Sequence, residues 1–180
     1  MKKRVFTITA ATLLLTALFV QSCKDKTSTT TTPTTTTPSE FVADDNTFKG
    51  FESWTLTATK NGVDPAMLKT AHAGDDSTSV RKIYFGNSAV TRENGEFPVG
   101  TIVSKITTWQ GNGGGSMITA MAKRGNNFDA GGNNWEYFVL NADGSILVDN
   151  GTTMRGANLM NGACKGCHAA ASATDYIFTK

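Results

Sequence analysis

The chain has 180 residues, 39% apolar and 18% charged, which suits one folded domain carrying appended polar sequence. Its formal charge of +2 sits at the start: Lys2, Lys3 and Arg4 are three of the 17 basic residues, and without them 14 basic side chains face 15 acidic ones. No basic block is left to track a phosphate backbone, so a nucleic-acid partner is not expected, and three cysteines are too few for a disulfide framework.

The first segment in chain order, residues 1–22, reads as a signal peptide. Its basic start is followed by an apolar run from Val5 to Val20, shorter than the roughly 20 residues that span a membrane. The run ends in Val20-Gln21-Ser22-Cys23, which resembles a bacterial lipobox. That resemblance implies acylation of Cys23 and a membrane anchor, since each buried methylene of an acyl chain contributes about 0.8 kcal/mol. A plain secretory signal with an incidental cysteine is the alternative. In such lipoproteins an Asp after the cysteine retains the protein in the inner membrane; Lys24 stands there, so the outer membrane is favoured. Residues 23–39 form the next segment. The stretch 27–38 holds nine Thr, one Ser and two Pro, nothing that buries a core, and reads as an extended tether.

The folded domain is expected over 40–180, with 12 basic and 14 acidic residues. Phe48, Phe51 and Trp54, three apart, predict a helix over 44–55. Asp64-Pro65 predicts a short helix through His72. Strands are predicted over 80–85, 101–109, 116–124, 135–141 and 145–148, which are mostly β-branched or aromatic and separated by Gly/Asn clusters. Asn141-Ala142-Asp143-Gly144 is a hairpin turn, and the glycine-rich stretches 111–115 and 125–132 read as hairpin loops. Trp135, Tyr137 and Val139 alternate with Phe138 and Leu140, so that strand is apolar on both faces and calls for cover on both sides. The fold class is therefore α+β: a mainly antiparallel sheet with flanking helices and an Ala-rich helical tail over 157–173.

That tail carries Cys164-Lys165-Gly166-Cys167-His168, a C-x-x-C-H motif for covalent attachment of haem c. Two thiols add to the two vinyl groups of one porphyrin edge, and the next residue turns an imidazole onto the iron. A zinc site would need a fourth ligand, and only His72 or Cys23 is left to supply one. In small electron-transfer cytochromes the motif comes early and an axial Met follows; here twelve residues follow His168 and none is Met. Met117, Met121, Met154 and Met160 read as core, which leaves the distal iron position open for a small molecule.

The domain resembles the cytochrome P-460 family. Besides the C-terminal haem motif, the likeness rests on Arg81-Lys82-Ile83-Tyr84, on the strand from Phe97-Pro98-Val99-Gly100-Thr101 to Lys105, on Asn134-Trp135-Glu136-Tyr137-Phe138, and on the tail Asp175-Tyr176-Ile177-Phe178. The resemblance implies an α+β fold, a homodimer, five-coordinate haem, and oxidation of hydroxylamine with electrons passed to an external acceptor. The related cytochromes c′-beta share the fold but bind gases such as nitric oxide, which is the non-catalytic alternative; pure electron transfer is the third. In the P-460 branch a lysine is joined to a haem meso carbon, and the matching position is Lys105, which shares a strand face with Val103, Thr107 and Trp109. On residues alone a strand lysine is more often solvated. Arg81 would stand over the distal pocket as a cation for bound anions, or form a surface ion pair. His72 has three readings: second axial ligand, distal proton donor, or surface residue. Lys123 and Arg124 read as a solvated strand end.

Overall fold

The computed structural model describes residues 40–64, 71–86 and 91–178. The leader, Cys23, the tether and most of the helix expected after Asp64 lie outside the described residues.

A single antiparallel sheet organises the domain. Strands β1 (Thr55–Asn61), β2 (Val80–Phe85), β3 (Ile102–Trp109), β4 (Gly115–Lys123) and β5 (Trp135–Leu140) pair in chain order, and β8 (Arg155–Gly156) closes the far edge. Two further two-residue strands, β6 (Val148–Asp149) and β7 (Thr152–Thr153), pair only with each other. The helix α1 (Ala163–His168) and a 3-10 segment (Ala169–Thr174) follow, so the α+β reading holds, with one short C-terminal α-helix among the described residues.

Four of the predicted strands appear within a residue or so of their expected limits. The stretch 145–148 does not: it contributes a single bridge, Leu140 to Ile146, and half of β6. The turn before it forms as read, with Gly144 at φ 85 donating to the Asn141 carbonyl. A side chain at Gly144 would also meet the Phe48 carbonyl oxygen at 2.5 Å, so glycine is required there on both counts.

Two expectations need correction. The helix over 44–55 is a series of turns ending in one 3-10 turn, Phe51–Ser53, with Gly50 at φ 68. A spacing of three suits a 3-10 turn, where residues i and i+3 eclipse, as well as it suits one face of an α-helix. Phe48, Phe51 and Trp54 do share a face, and they pack on the sheet. Strand β1 was not expected at all. It is an edge strand exposed along nearly its whole length, so it lacks the alternation that marks a half-buried strand.

Because side chains alternate across the sheet, its two faces collect two separate interiors. On one face Tyr84, Ile118, Ala120, Ala122, Phe138 and Leu140 meet Phe48 and Phe51 from the N-terminal turns. Phe48 and Phe138 are fully enclosed, with ring centroids 4.9 Å apart. Burial of each such ring contributes about 1.5–3 kcal/mol, and the pair about 0.5–1.5 more. On the other face Ile83, Phe85, Val103, Met121, Tyr137 and Val139 meet Leu159 and Ile177 from the C-terminal segment.

Candidate functional site

The second interior is incompletely filled. Between the sheet and the C-terminal segment lies a cavity that is partly open to solvent. Its floor follows from the register. Ile83, Lys105, Thr119 and Val139 form one cross-strand row, with Val103, Met121 and Tyr137 in the next, and all of them line the cavity. Cys164, His168, Ile177 and Phe178 line its other side.

The haem motif occupies the whole of α1. In a helix, residues i, i+3 and i+4 share a face, so Cys164, Cys167 and His168 project to one side of a single turn. Both thiols are unpaired and half-buried, and burial raises their pKa values. Cys164 lines the cavity; Cys167 is not in its wall.

His168 is held from three sides. Its ring lies 5.4 Å from that of Tyr137 and 5.3 Å from that of Phe178. Its Nδ1 lies 2.7 Å from the Tyr176 carbonyl oxygen. A carbonyl only accepts, so Nδ1 carries the hydrogen and the lone pair of the neutral ring is on Nε2. Burial lowers the pKa to about 4, the Tyr176 hydrogen bond working the other way, so at neutral pH the ring is an uncharged ligand.

Lys105 projects into the cavity, as expected if it approaches a cofactor there, and not into solvent. Desolvation, then the nearby Arg81 charge, lower its pKa to about 8, which raises the fraction of nucleophilic free amine at neutral pH. Arg81 is 3% exposed and also borders the cavity; its Nη2 donates to the Gly62 carbonyl at 2.6 Å, and Nε stands 3.7 Å from Asp64. Its Nη1 has no hydrogen-bond partner among the described residues.

His72 settles in the cavity wall, in a left-handed conformation (φ 52), with a buried Nδ1 that has no hydrogen-bond partner among the described residues. Burial first, then the charges of Lys105, His168 and Arg81, lower its pKa to about 3. The surface reading of His72 therefore fails. The reading of Lys123 as a solvated strand end also fails: it is 3% exposed and paired with Asp175 at 2.9 Å. Arg124 pairs with Glu136 at 2.8 Å and with Glu40.

Thr119 lines the cavity without having been named in the sequence, and Met117 and Phe178, named there as core and as part of the terminal tail, line it too. For Thr119 and Met117 the signal was available: they share strand parity with Met121 and pair directly with Lys105 and Thr107 on the neighbouring strand.

The site fits haem. A largely apolar cleft has Cys164 and His168 in its wall, with Cys167 beside them on the same helical turn. Among the described residues no three His, Cys, Asp or Glu side chains converge as a metal-ion cluster, as a closed zinc site would require.

A family model, Cytochrome P460, matches residues 48–179. No curated protein and no solved structure matches the chain.

Proposed function

This chain belongs to the cytochrome P-460 family of haem proteins, and from that premise we propose that it carries one haem c through Cys164 and Cys167, with His168 on the iron, and oxidises hydroxylamine or a related small nitrogen compound. Bound there, haem would supply an iron for a small nitrogen ligand and a redox couple to an external acceptor.

The chain's own residues have distinct parts. Cys164 and Cys167 fix one porphyrin edge against α1. His168 offers Nε2 because Tyr176 holds Nδ1–H. Lys105 presents a partly deprotonated amine to the same cavity, which supports the cross-link found in this branch of the family. Arg81 places a buried cation beside the distal space, suited to an anionic ligand or product. His72, neutral at physiological pH and without a hydrogen-bond partner at Nδ1 among the described residues, is suited to hydrogen-bond a bound ligand as an uncharged ring.

The observation that carries this reading is that Lys105, Cys164 and His168 line one cavity. Mass spectrometry of the proteolysed protein tests it. A haem peptide joining the Cys164–Cys167 segment to the Lys105 segment is expected, and Lys105→Ala should keep thioether-bound haem while shifting its absorption spectrum and lowering hydroxylamine oxidation at least about tenfold. The largely apolar row Ile83, Val103, Met121 and Val139 favours a second reading, reversible binding of nitric oxide. A free Lys105 peptide in the wild-type digest would put that reading first.

The proposal extends to location. The lipobox-like Val20–Cys23 supports acylation at Cys23 and an outer-membrane anchor, with 23–39 as tether. A homodimer accords with the family.

A further inference from the structure

Asp175 is the least exposed acid among the described residues, at 2%. Its carboxylate accepts from Lys123 Nζ (2.9 and 3.0 Å), Asn133 Nδ2 (2.7 Å), Trp135 Nε1 (3.1 Å) and the Phe97 backbone N–H (2.7 Å). Lys123 and Trp135 face each other across the end of the β4–β5 pair, in the middle of the sheet. The carboxylate is thus tied to the paired ends of two interior strands.

What it ties down is unusual backbone. Asp175 and Tyr176 both lie in the left-handed region, at φ 52 and 64, where consecutive non-glycine residues are held only by strong surroundings. The Tyr176 N–H is bonded to the Ala171 carbonyl at 2.9 Å, and the Thr174 hydroxyl bridges the Ala171 and Ile177 carbonyls at 3.0 and 2.7 Å. The product of this turn is the direction of one group: the Tyr176 carbonyl, aimed at His168 Nδ1. None of the donors on Asp175 touches the cavity, so the network is not explained by ligand binding.

We propose that Asp175 is a positioning residue for the iron ligand: by pinning the left-handed turn at 175–176 to the ends of β4 and β5, it holds the Tyr176 carbonyl on His168 and so fixes that ring's tautomer and orientation. A hydrogen bond accepted from the far nitrogen raises the basicity of the nitrogen on the metal. Lys123, Asn133 and Trp135 act one step further out, through Asp175. The inference rests on the haem reading above, and concerns what sets the donor strength of His168, not what the iron then does.

The test uses the full-length, haem-loaded protein and Asp175→Asn, which keeps the shape but loses the charge and turns an NH2 toward groups that themselves donate. Resonance Raman of the ferrous form should show a lower iron–histidine stretching frequency, and redox titration a higher midpoint potential, because a less basic imidazole stabilises ferric iron less. A purely structural role would lower stability and leave both readings where they were. If Asp175→Asn does not fold, Asn133→Gly decides; it removes one donor at a left-handed position (φ 49) that glycine tolerates, and should move both readings the same way by less. Unchanged frequency and potential in a folded, loaded variant overturn the proposal. Wild-type protein without covalent haem would instead overturn the function proposed above, and its absorption spectrum shows that before any variant is compared.

Discussion

Phe138 and Val139 are neighbours in one strand, yet they belong to two different kinds of interior. Phe138 faces a filled core of aromatic rings, where the one buried carboxylate, Glu136, is matched by Arg155 at 2.7 and 2.9 Å and by Arg124 at 2.8 Å. Val139 faces a cavity whose lining includes Lys60, Arg81 and Lys105 together with Asp64. The cavity side also leaves Nδ1 of His72 and the hydroxyl of Tyr137 buried without hydrogen-bond partners among the described residues. Among the described residues the filled side has unpartnered atoms of its own, Ser104 Oγ and Arg124 Nε, but those of His72 and Tyr137 belong to residues that line an open space. Unpaired buried polar groups cost stability, and they gather where a ligand supplies the missing contacts.

The comparison breaks most completely at α1. Cys164→Ala/Cys167→Ala should abolish covalent haem, read as loss of haem staining on a denaturing gel, while the filled face keeps the sheet folded. Recovery of full covalent haem in that double variant contradicts the attachment site.

Next in size is the difference between the neighbours themselves. Phe138→Ala should cost about 3–5 kcal/mol in denaturant unfolding, since a rigid core cannot close over the lost ring. Val139→Ala should cost about 1.5 kcal/mol, near 0.8 per methylene-sized group, because it enlarges a space already present. Equal costs would mean that the cavity face is packed as tightly as the other, and the contrast would fall.

How much of this contrast the residues reveal in advance depends on the range of the interactions. The haem motif is contained in five consecutive residues, and strands β2 to β5 declare themselves by β-branched and aromatic runs, so both are legible. The two-sided burial of β5 is legible too, from its unbroken apolar run. Strand β1 is not, since Thr55–Asn61 pairs through its backbone and buries almost nothing. Lys123 looks like any basic strand end until Asp175, 52 residues on, folds beneath it. His72 follows a segment with no apolar period, and only the tertiary fold carries it into the cavity wall. Lys105 was placed by family likeness and strand parity together; parity alone gave its face but not what the face borders.

The smallest effect sharpens the comparison from the cavity side, through pH. His72 titrates at about 3 in the folded protein, below the roughly 6.5 of an unfolded chain. Between those values the unfolded state binds the extra proton, so unfolding free energy falls as pH falls from 6.5 toward 3. For one histidine the loss between pH 7 and pH 5 is about 2 kcal/mol. His168 would share that direction if free, but on iron its Nε2 does not take a proton, so in the haem-loaded protein the effect belongs to His72. His72→Asn isolates it, because Asn tolerates the left-handed backbone and does not titrate. Denaturant unfolding of both loaded proteins at pH 7 and pH 5 should show the wild type losing about 2 kcal/mol more than the variant. The filled interior has no histidine to charge between pH 7 and pH 5. If both proteins lose the same amount, His72 charges without disturbing the fold, and that corner of the cavity is as wet as the surface.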